Sequence, residues 1–348
     1  MRAVVIHEHG NADKLTYVED FPTPEPGPGQ VRVRLRAAAL NRLDWWVREG
    51  IPGMPVDLPH ILGADGAGVI DKLGAGVAGW AEGDRVALNP GEVDCTGCEY
   101  CWRGLENMCK NYHIIGETAG GTYCEYRVYD ARNLLALPKH VDFAEAAAAS
   151  LVFLTAWHSL ITRGGLRSGE SVLIVGAGGG VNTACLQIAK LLGCQVYVVG
   201  STAEKCEAAR ELGADETFDR SADPEWGKAV FKATGKRGVD VVVDNIGAPT
   251  MMLSIRAARP GGRVLTVGNT AGPTFEIDNR LLFFRHVSLV GSTMGPYADY
   301  VDVMRLIFSG RLRAIIGATY ALEDAAQAHR ALEGGEVFGK IVLNIPEA

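Results

Sequence analysis

The sequence predicts an α/β protein in which a doubly wound parallel sheet is inserted between two segments of a second, β-rich domain. From residue 171 onward, apolar runs of strand type alternate with amphipathic helices, which is the order that builds a parallel sheet covered by helices. A glycine-rich turn, Gly176-Ala-Gly-Gly-Gly180, joins the first of these strands to a helix. The flanking segments lack this alternation, so we expect both ends of the chain to build the other domain.

The β-rich domain is predicted to comprise residues 1–149 and 292–348, and the parallel sheet residues 150–291. In the first segment, apolar Val31, Val33 and Leu35 alternate with arginines, the period of a half-exposed strand. Frequent glycines between residues 61 and 89 favour the sharp bends of a small barrel. The six predicted strands of the parallel sheet are Val172–Val175, Val196–Val199, Glu216–Phe218, Val239–Asp244, Arg263–Val267 and Val287–Val290.

Four cysteines, Cys95, Cys98, Cys101 and Cys109, are spaced C-x2-C-x2-C-x7-C within a lobe of about residues 91–112. Four thiolates in a short segment provide the closed tetrahedral shell of a structural zinc ion. An iron–sulfur cluster is the alternative, because C-x2-C-x2-C also opens ferredoxin-type motifs. Those motifs continue with a short gap and Cys-Pro, whereas Lys110 follows Cys109 here. The spacing therefore predicts one structural zinc per subunit.

The turn after the first strand of the parallel sheet has the composition of a dinucleotide-binding site. Glycines at a strand-to-helix turn allow a pyrophosphate to approach the backbone, and the helix N-terminus offers unpaired N–H groups. We assign Gly176, Gly178, Gly179, Gly180 and Val181 to this site. Val181 stands where a strict G-x-G-x-x-G motif would have its third glycine. A strand before the turn and a helix after it indicate a Rossmann domain.

The end of the second strand indicates which dinucleotide binds. An NAD site places Asp or Glu about 20 residues after the glycines, to hold the ribose hydroxyls. Here the strand ends in Gly200-Ser201-Thr202 without an acid, and Lys205 follows. Hydroxyl groups and a lysine can bind the 2′-phosphate of NADP(H), so NAD(H) is the less favoured cofactor. The alternative interpretation is a plain loop with an exposed lysine and no role in binding. The remaining predicted cofactor residues are Arg220, Asn245, Gly268, Asn269 and Thr270.

The composition argues against several partners. A formal net charge of −7 disfavours a nucleic-acid surface, which needs clustered Lys and Arg. No run of 18 or more apolar residues is present, so we expect no membrane span. The first residues, MRAVVIHEHG, lack the apolar stretch of a signal peptide, and the other cysteines are scattered as in reduced proteins. We therefore expect a cytoplasmic protein acting on a small molecule.

A glycine-rich barrel, a four-cysteine lobe and an inserted Rossmann domain together resemble the zinc-containing medium-chain dehydrogenase/reductase superfamily, over essentially the whole chain. The resemblance implies a GroES-like catalytic domain, a nicotinamide cofactor, and a homodimer or homotetramer. In the alcohol dehydrogenase branch a second, catalytic zinc is held by a Cys in a C-G-x-D element, a His in Gly-His-Glu, and a later Cys or Asp.

This sequence departs from that second zinc site at every position. Asn41 stands where the Cys should be, Ala64 where the His should be, and Leu151 falls near the third ligand position. Alanine and leucine have no donor atom and an amide is a poor zinc ligand, so we expect no catalytic zinc. His60 is nearby and is the one conceivable replacement ligand.

The element Asn41-Arg-Leu-Asp44 resembles that of the quinone oxidoreductase and enone reductase branch, although many of its members lack the four-cysteine lobe. Conjugate reduction spreads negative charge into an enolate or hydroquinone, and hydrogen-bond donors can stabilise that oxygen without a metal. We predict such an activity, with Asn41 and Asp44 as the catalytic residues: Asn41 positions the substrate or the nicotinamide, and Asp44 orients the local loop. A simple turn-capping pair is the alternative interpretation. The alternatives are a zinc-type alcohol dehydrogenase and a nicotinamide-binding protein without turnover.

Overall fold

The computed structural model describes residues 1–95 and 97–346 and divides into two compact units. The first comprises Met1–Leu151 and Pro296–Ala348, and the second Val152–Gly295. The predicted boundaries were 149 and 291, against 151 and 295 in the structure. Glu347 and Ala348, at the end of the predicted domain, lie outside the described residues.

The first unit is built around a long central strand, β3. Its valines and leucine at positions 31, 33 and 35 are at most 1% exposed, while the arginines between them are partly exposed. The predicted alternation is therefore confirmed. Strand β3 lies inside a seven-stranded sheet of order β10-β6-β5-β3-β18-β17, with β9 also paired to β3, and a second sheet has the order β2-β1-β4. The strands of these sheets are β1 Ala3–Ile6, β2 Leu15–Val18, β3 Gln30–Ala39, β4 His60–Ile61, β5 Asp65–Leu73, β6 Arg85–Leu88, β9 Tyr126–Asp130, β10 Leu134–Ala136, β17 Ile316–Ala321 and β18 Lys340–Asn344.

A two-stranded ribbon closes the cysteine-rich lobe. Its strands β7 (Gly91–Val93) and β8 (Tyr112–Ile114) pair antiparallel, with Glu92 opposite His113. Because the ribbon joins the two ends of the lobe, the segment between its strands is a closed loop that contains the four cysteines. The helices of the first unit are α1 Arg42–Glu49, α2 Glu99–Trp102, α3 Phe143–Trp157 (its first nine residues), α9 Tyr297–Phe308 and α10 Ala325–Gly334.

The second unit is a six-stranded parallel sheet of order β13-β12-β11-β14-β15-β16, as a Rossmann domain requires. All six predicted strands are present. The fifth begins at Ala258 instead of Arg263, because its pairing with β14 continues past a register shift. The strands are β11 Ser171–Val175, β12 Gln195–Gly200, β13 Glu216–Asp219, β14 Val239–Asp244, β15 Ala258–Thr266 and β16 Ser288–Gly291; the helices are α4 Gly180–Leu191, α5 Ala203–Glu211, α6 Trp226–Ala233, α7 Met251–Ala257 and α8 Arg280–Phe283.

Helix α3 continues as a π-helical segment, His158–Arg163. The combined stretch Phe143–Arg163 is long and apolar enough to cross a membrane, with a mean hydropathy of 1.3 over its most apolar window. Of that window, 78% is buried inside the protein. A core helix of a globular domain has this character, so its length alone is weak evidence for a membrane span.

Candidate functional site

The four cysteines of the lobe lie together as the spacing predicts. Their sulfur atoms are all within 4.8 Å of one another, and Cys98 Sγ lies 3.5 Å from Cys101 Sγ. Zinc–sulfur bonds of about 2.3 Å place the sulfurs of a tetrahedral site about 3.8 Å apart. Cys98 caps α2, and its sulfur accepts the backbone N–H of Cys101. The donor chemistry and the spacing both fit a structural zinc ion.

The predicted catalytic pair lies at the start of α1. Asn41 is the N-cap, in extended conformation, and Asp44 is the third helical residue. Asp44 Oδ2 accepts the backbone N–H of Asn41 at 2.7 Å, as the third residue of a capping box does. The turn-capping interpretation is thus present in the structure, but both side chains also make long-range contacts that a cap does not need.

Asp44 is fully buried and accepts two further hydrogen bonds. Its Oδ1 accepts the backbone N–H of Gly63 at 3.2 Å, and its Oδ2 accepts the Tyr123 hydroxyl at 3.1 Å. Burial raises the pKa of Asp44 to about 7. Gly63 has a φ of +103°, and a Cβ there would overlap the side chains of Thr122 and Tyr123. Only glycine therefore lets this backbone N–H reach the carboxylate.

Asn41 belongs to a second buried cluster, with Asp65 and Lys340. Asn41 Nδ2 donates to Asp65 Oδ2 at 2.9 Å, and Lys340 Nζ donates to Asn41 Oδ1 at 2.6 Å and to Asp65 Oδ2 at 2.9 Å. The side chains of Lys340 and Asp65 are 4% and 0% exposed. The other oxygen of Asp65 accepts the backbone N–H of Leu151 at 2.7 Å. We call Asn41, Asp65 and Lys340 the buried triad.

The pairing of three strands assembles the triad. Ala39, the last residue of β3, pairs with Asp65 on β5 and with Val342 on β18. Lys340 lies two residues before Val342 and therefore on the same face of the sheet. Asn41 follows β3 directly. Residues 275 positions apart in the sequence thus meet at one end of the central strand.

A further group of buried polar side chains lies next to Tyr123. The guanidinium of Arg48, which is fully buried, donates to Glu333 Oε1 at 2.5 Å and contacts His329 Nδ1 at 3.1 Å. His329 packs edge-to-face on Tyr123, with ring centroids 5.9 Å apart. Burial and the Arg48 charge lower the pKa of His329 to about 3, so the ring is neutral. Helix α10 thereby supports the side chain that binds Asp44.

His60, the conceivable replacement zinc ligand, is buried, and its Nε2 contacts the carbonyl oxygen of Gly116 at 3.1 Å. Burial lowers its pKa. Across residues 1–95 and 97–346, the four cysteines are the one group of three or more metal-binding side chains close enough to share an ion. The structure does not bring His60 into such a group.

In the second unit, the glycine turn lies at the carboxyl end of β11, and α4 begins at Gly180. Gly179 is the N-cap, and no side chain caps the helix, which leaves its first N–H groups for a pyrophosphate. Asn182 holds the turn, since its Nδ2 donates to the carbonyls of Val175 and Gly176 and its Oδ1 accepts Asn245 Nδ2 at 2.5 Å. The sequence analysis did not assign Asn182 to the site, and its position two residues after the last glycine of the turn was the available signal.

The other predicted cofactor residues follow neighbouring strands at the same edge of the sheet. Thr202 caps α5 by accepting the backbone N–H of Lys205 at 3.3 Å. Asp219 pairs with Gly200 in the parallel register, and hydrogen bonds from Ser221 lower its pKa, so a carboxylate lies beside the end of β12. Thr270 Oγ1 donates to the carbonyl of Asn245 at 3.2 Å. Arg220 follows β13, Val181 lies in the first turn of α4, Ser201 follows β12, and Gly268 and Asn269 follow β15.

Comparison with known families identifies the chain. Residues 27–139 match the alcohol dehydrogenase GroES-like domain, and residues 180–309 match the zinc-binding dehydrogenase domain. The chain belongs to the zinc-containing medium-chain dehydrogenase/reductase superfamily, with a GroES-like domain and a Rossmann domain. It is therefore an oxidoreductase of a family that uses nicotinamide cofactors.

Its relatives differ in activity. The chain is 34% identical to a crotonyl-CoA reductase of Streptomyces collinus, over 81% of this chain and 68% of the relative. It is 28% identical to the human quinone oxidoreductase, over 99% and 97%, and 30% identical to an NAD-dependent alcohol dehydrogenase of Saccharolobus solfataricus, over 99% of each. The crystal structure of an NAD-dependent alcohol dehydrogenase superposes with a TM-score of 0.94 at 44% identity, covering 99% of this chain and 100% of that chain.

Proposed function

We propose that this protein is an NADPH-dependent reductase of activated double bonds or quinones that works without a catalytic zinc. The buried triad carries the proposal. Asn41, the residue in place of the zinc-binding cysteine, has its amide oxygen bound to Lys340. Asp65 is bound at both oxygens, by Leu151 on one side and by the amide and ammonium on the other. Ala64 and Leu151 contribute no ligand atom, so the polar groups here are arranged to bind one another and not a metal ion.

The chemistry of an enone matches such a site. When bound, the nicotinamide supplies a hydride to the β-carbon of the substrate. The double-bond electrons then move toward the carbonyl oxygen, and this oxygen is where a hydrogen-bond donor stabilises charge. Asn41 is the candidate donor, and solvent supplies the proton at the α-carbon. Among this chain's residues, the glycine turn at 176–180 and Asn245 are proposed to hold the cofactor.

NADPH is proposed as the preferred cofactor because β12 ends without an acid and Lys205 follows it. Asp219 beside Gly200 opposes this preference, since a carboxylate repels a 2′-phosphate. Lys205 and Arg220 provide two positive charges, compared with the single negative charge of Asp219. The relatives include an enzyme named as NAD-dependent, so the affinities for NADPH and NADH need to be compared directly.

The second candidate function is oxidation of simple alcohols, and the 44% identity to an NAD-dependent alcohol dehydrogenase favours it. Reaction at an unactivated alcohol needs a Lewis acid or a strong base to stabilise the alkoxide. The chain's own residues at the three ligand positions do not supply a Lewis-acid site. The crotonyl-CoA reductase and quinone oxidoreductase relatives support the reductase proposal instead.

A substrate comparison tests the proposal. Turnover of cyclohexenone, a benzoquinone and short alcohols is measured with NADPH, NADH or the oxidised cofactors, on protein treated with a chelator so that one zinc per subunit is retained. We expect reduction of the enone or quinone to exceed alcohol oxidation. Alcohol oxidation that is lost with a second metal would establish the alcohol dehydrogenase instead. Cofactor binding without turnover of any substrate would indicate a nicotinamide-binding protein.

Four further features stay predictions. The zinc in the cysteine lobe is structural, the GroES-like unit carries the catalytic residues, the chain forms a homodimer or homotetramer, and the protein is cytoplasmic.

A further inference from the structure

Lys340 is a buried cation whose every proton has a partner. Its Nζ donates to the backbone carbonyl of Leu40 at 2.7 Å, to Asn41 Oδ1 at 2.6 Å and to Asp65 Oδ2 at 2.9 Å. An ammonium group has three N–H donors and no acceptor. All three donors are thus used, and the geometry of the ammonium is fixed by one backbone and two side-chain oxygens.

This arrangement decides which way the Asn41 amide points. A lysine ammonium can only donate, so the Asn41 atom facing it must be the oxygen. The atom facing Asp65 Oδ2 must then be the nitrogen, because an ionised carboxylate only accepts. An amide rotated by 180° would place its NH₂ group against Lys340 and its oxygen against Asp65, losing both bonds. The polarity of Asn41 therefore follows from its two charged partners.

The Asn41 amide, held in this orientation, has one N–H that neither Lys340 nor Asp65 binds. An asparagine NH₂ group has two hydrogens, and Asp65 takes one. Among the hydrogen bonds of the described residues, Asn41 Nδ2 donates to Asp65 alone, and the residue is 7% exposed.

We propose that Lys340 is a positioning residue, which fixes the Asn41 amide so that its free N–H donates to the substrate oxygen on which negative charge develops. The inference rests on the proposed function and extends it. As the β-carbon gains the hydride, the C=C pair becomes the new C=C of an enolate and the carbonyl π electrons move to oxygen. Asn41 stabilises that oxygen, and a solvent proton adds at the α-carbon. Lys340 itself does not touch the substrate.

A double-mutant cycle separates positioning from stability. The kcat and KM for cyclohexenone with NADPH, and the thermal midpoint, are measured for wild type, Asn41→Ala, Lys340→Met and the double variant. We expect Lys340→Met to lower kcat about tenfold with little change in the KM for NADPH. In the Asn41→Ala background the same change should leave kcat unaltered, while it still lowers the thermal midpoint. Lys340→Arg, which keeps a cationic donor, should recover much of the kcat.

A control variant, a replacement variant and a measurement on the wild type allow the result to be interpreted. Ile341→Ala removes buried apolar volume from the neighbouring position on β18, and it should lower the thermal midpoint without the kcat loss. If Lys340→Met does not fold, Lys340→Gln replaces it, because a glutamine can bind Asn41 in either orientation and so no longer fixes the amide. Equal kcat losses from the Lys340 change in both backgrounds, or an equal loss in Ile341→Ala, would overturn the positioning role. A wild-type protein that reduces no enone or quinone would overturn the proposed function instead, and this is measured first.

Discussion

Lys340 and Asp65 form an ion pair, 2.9 Å from Nζ to Oδ2, in which both side chains are almost completely withdrawn from solvent. Desolvating two charges is expensive, and the pair is stable only because every remaining donor and acceptor is satisfied. The bonds from Leu151 and Asn41 to Asp65, and from Lys340 to Leu40, meet this requirement. The pair connects the last strand of the chain to the start of β5.

Removing one member of this pair should be strongly destabilising. Lys340→Met leaves Asp65 charged and buried, and we expect it to lower the free energy of unfolding by about 3–5 kcal/mol. Asp65→Asn should have a similar effect through Lys340. The combination Lys340→Met with Asp65→Asn should cost clearly less than the sum, because neither charge is left uncompensated. Urea denaturation measures these values, and additive losses would show that the two side chains act independently.

The fold and the clustering of the four cysteines could be predicted from the sequence because their signals are local. A strand needs about five residues of apolar pattern, and the four cysteines lie within 15 positions, from Cys95 to Cys109. The family comparisons confirm the α/β class and the GroES-like and Rossmann domains. Strand ends were less certain, as β15 shows, because pairing beyond a register shift depends on the neighbouring strand.

The triad could be predicted only in part. Asn41 was visible in the Asn-x-x-Asp element, but the sequence identifies Lys340 only as the first residue of a predicted strand, Lys340-Ile-Val-Leu-Asn. Its role depends on the pairing of β18 with β3 and of β3 with β5, across 275 positions. A lone lysine before the apolar run Ile341–Leu343 was the available signal, and lysines in that position are more often solvated.

The cysteine lobe should hold one zinc ion per subunit. Cys101→Ser removes one of four thiolates, so we expect loss of the zinc and a lower thermal midpoint, since metal binding contributes directly to the stability of such lobes. Elemental analysis after dialysis gives the stoichiometry. Cys194→Ser is the matched control, because this buried cysteine lies outside the cluster and its replacement should leave the zinc content at one. Iron in place of zinc, or two zinc ions per subunit, would contradict the assignment.

NADPH should bind more tightly than NADH, and Lys205 should contribute to the difference. We expect Lys205→Ala to weaken NADPH binding about tenfold and NADH binding by much less, because the lost charge acts on the 2′-phosphate alone. Fluorescence titration of both cofactors gives the two dissociation constants. Lys232→Ala, at an exposed position of α6, is the control and should change neither. Equal weakening for both cofactors would assign Lys205 a purely structural role, and a native preference for NADH would refute the NADPH proposal.

The contribution of Asp44 to the stability of the protein should fall between about pH 4 and pH 7. Its pKa is raised by burial from 3.8 to about 7, so over this range the native state retains a proton that the unfolded state has lost. The stabilisation is therefore fully present below pH 4 and is lost as the pH rises through 7, with an upper limit of about 4 kcal/mol at 1.36 kcal/mol per pKa unit. The positive charge of Lys340 lowers the pKa of Asp44 and the negative charge of Asp65 raises it, so both side chains influence this titration.

Asp44→Asn removes the titration, and the difference in unfolding free energy between wild type and this variant should change by several kcal/mol from pH 4.5 to pH 8. Asp302→Asn, at an exposed carboxylate, controls for general charge effects and should track the wild type. A constant difference between Asp44→Asn and wild type over this range would mean that Asp44 is ionised throughout, held so by Gly63, Tyr123 and the backbone of Asn41.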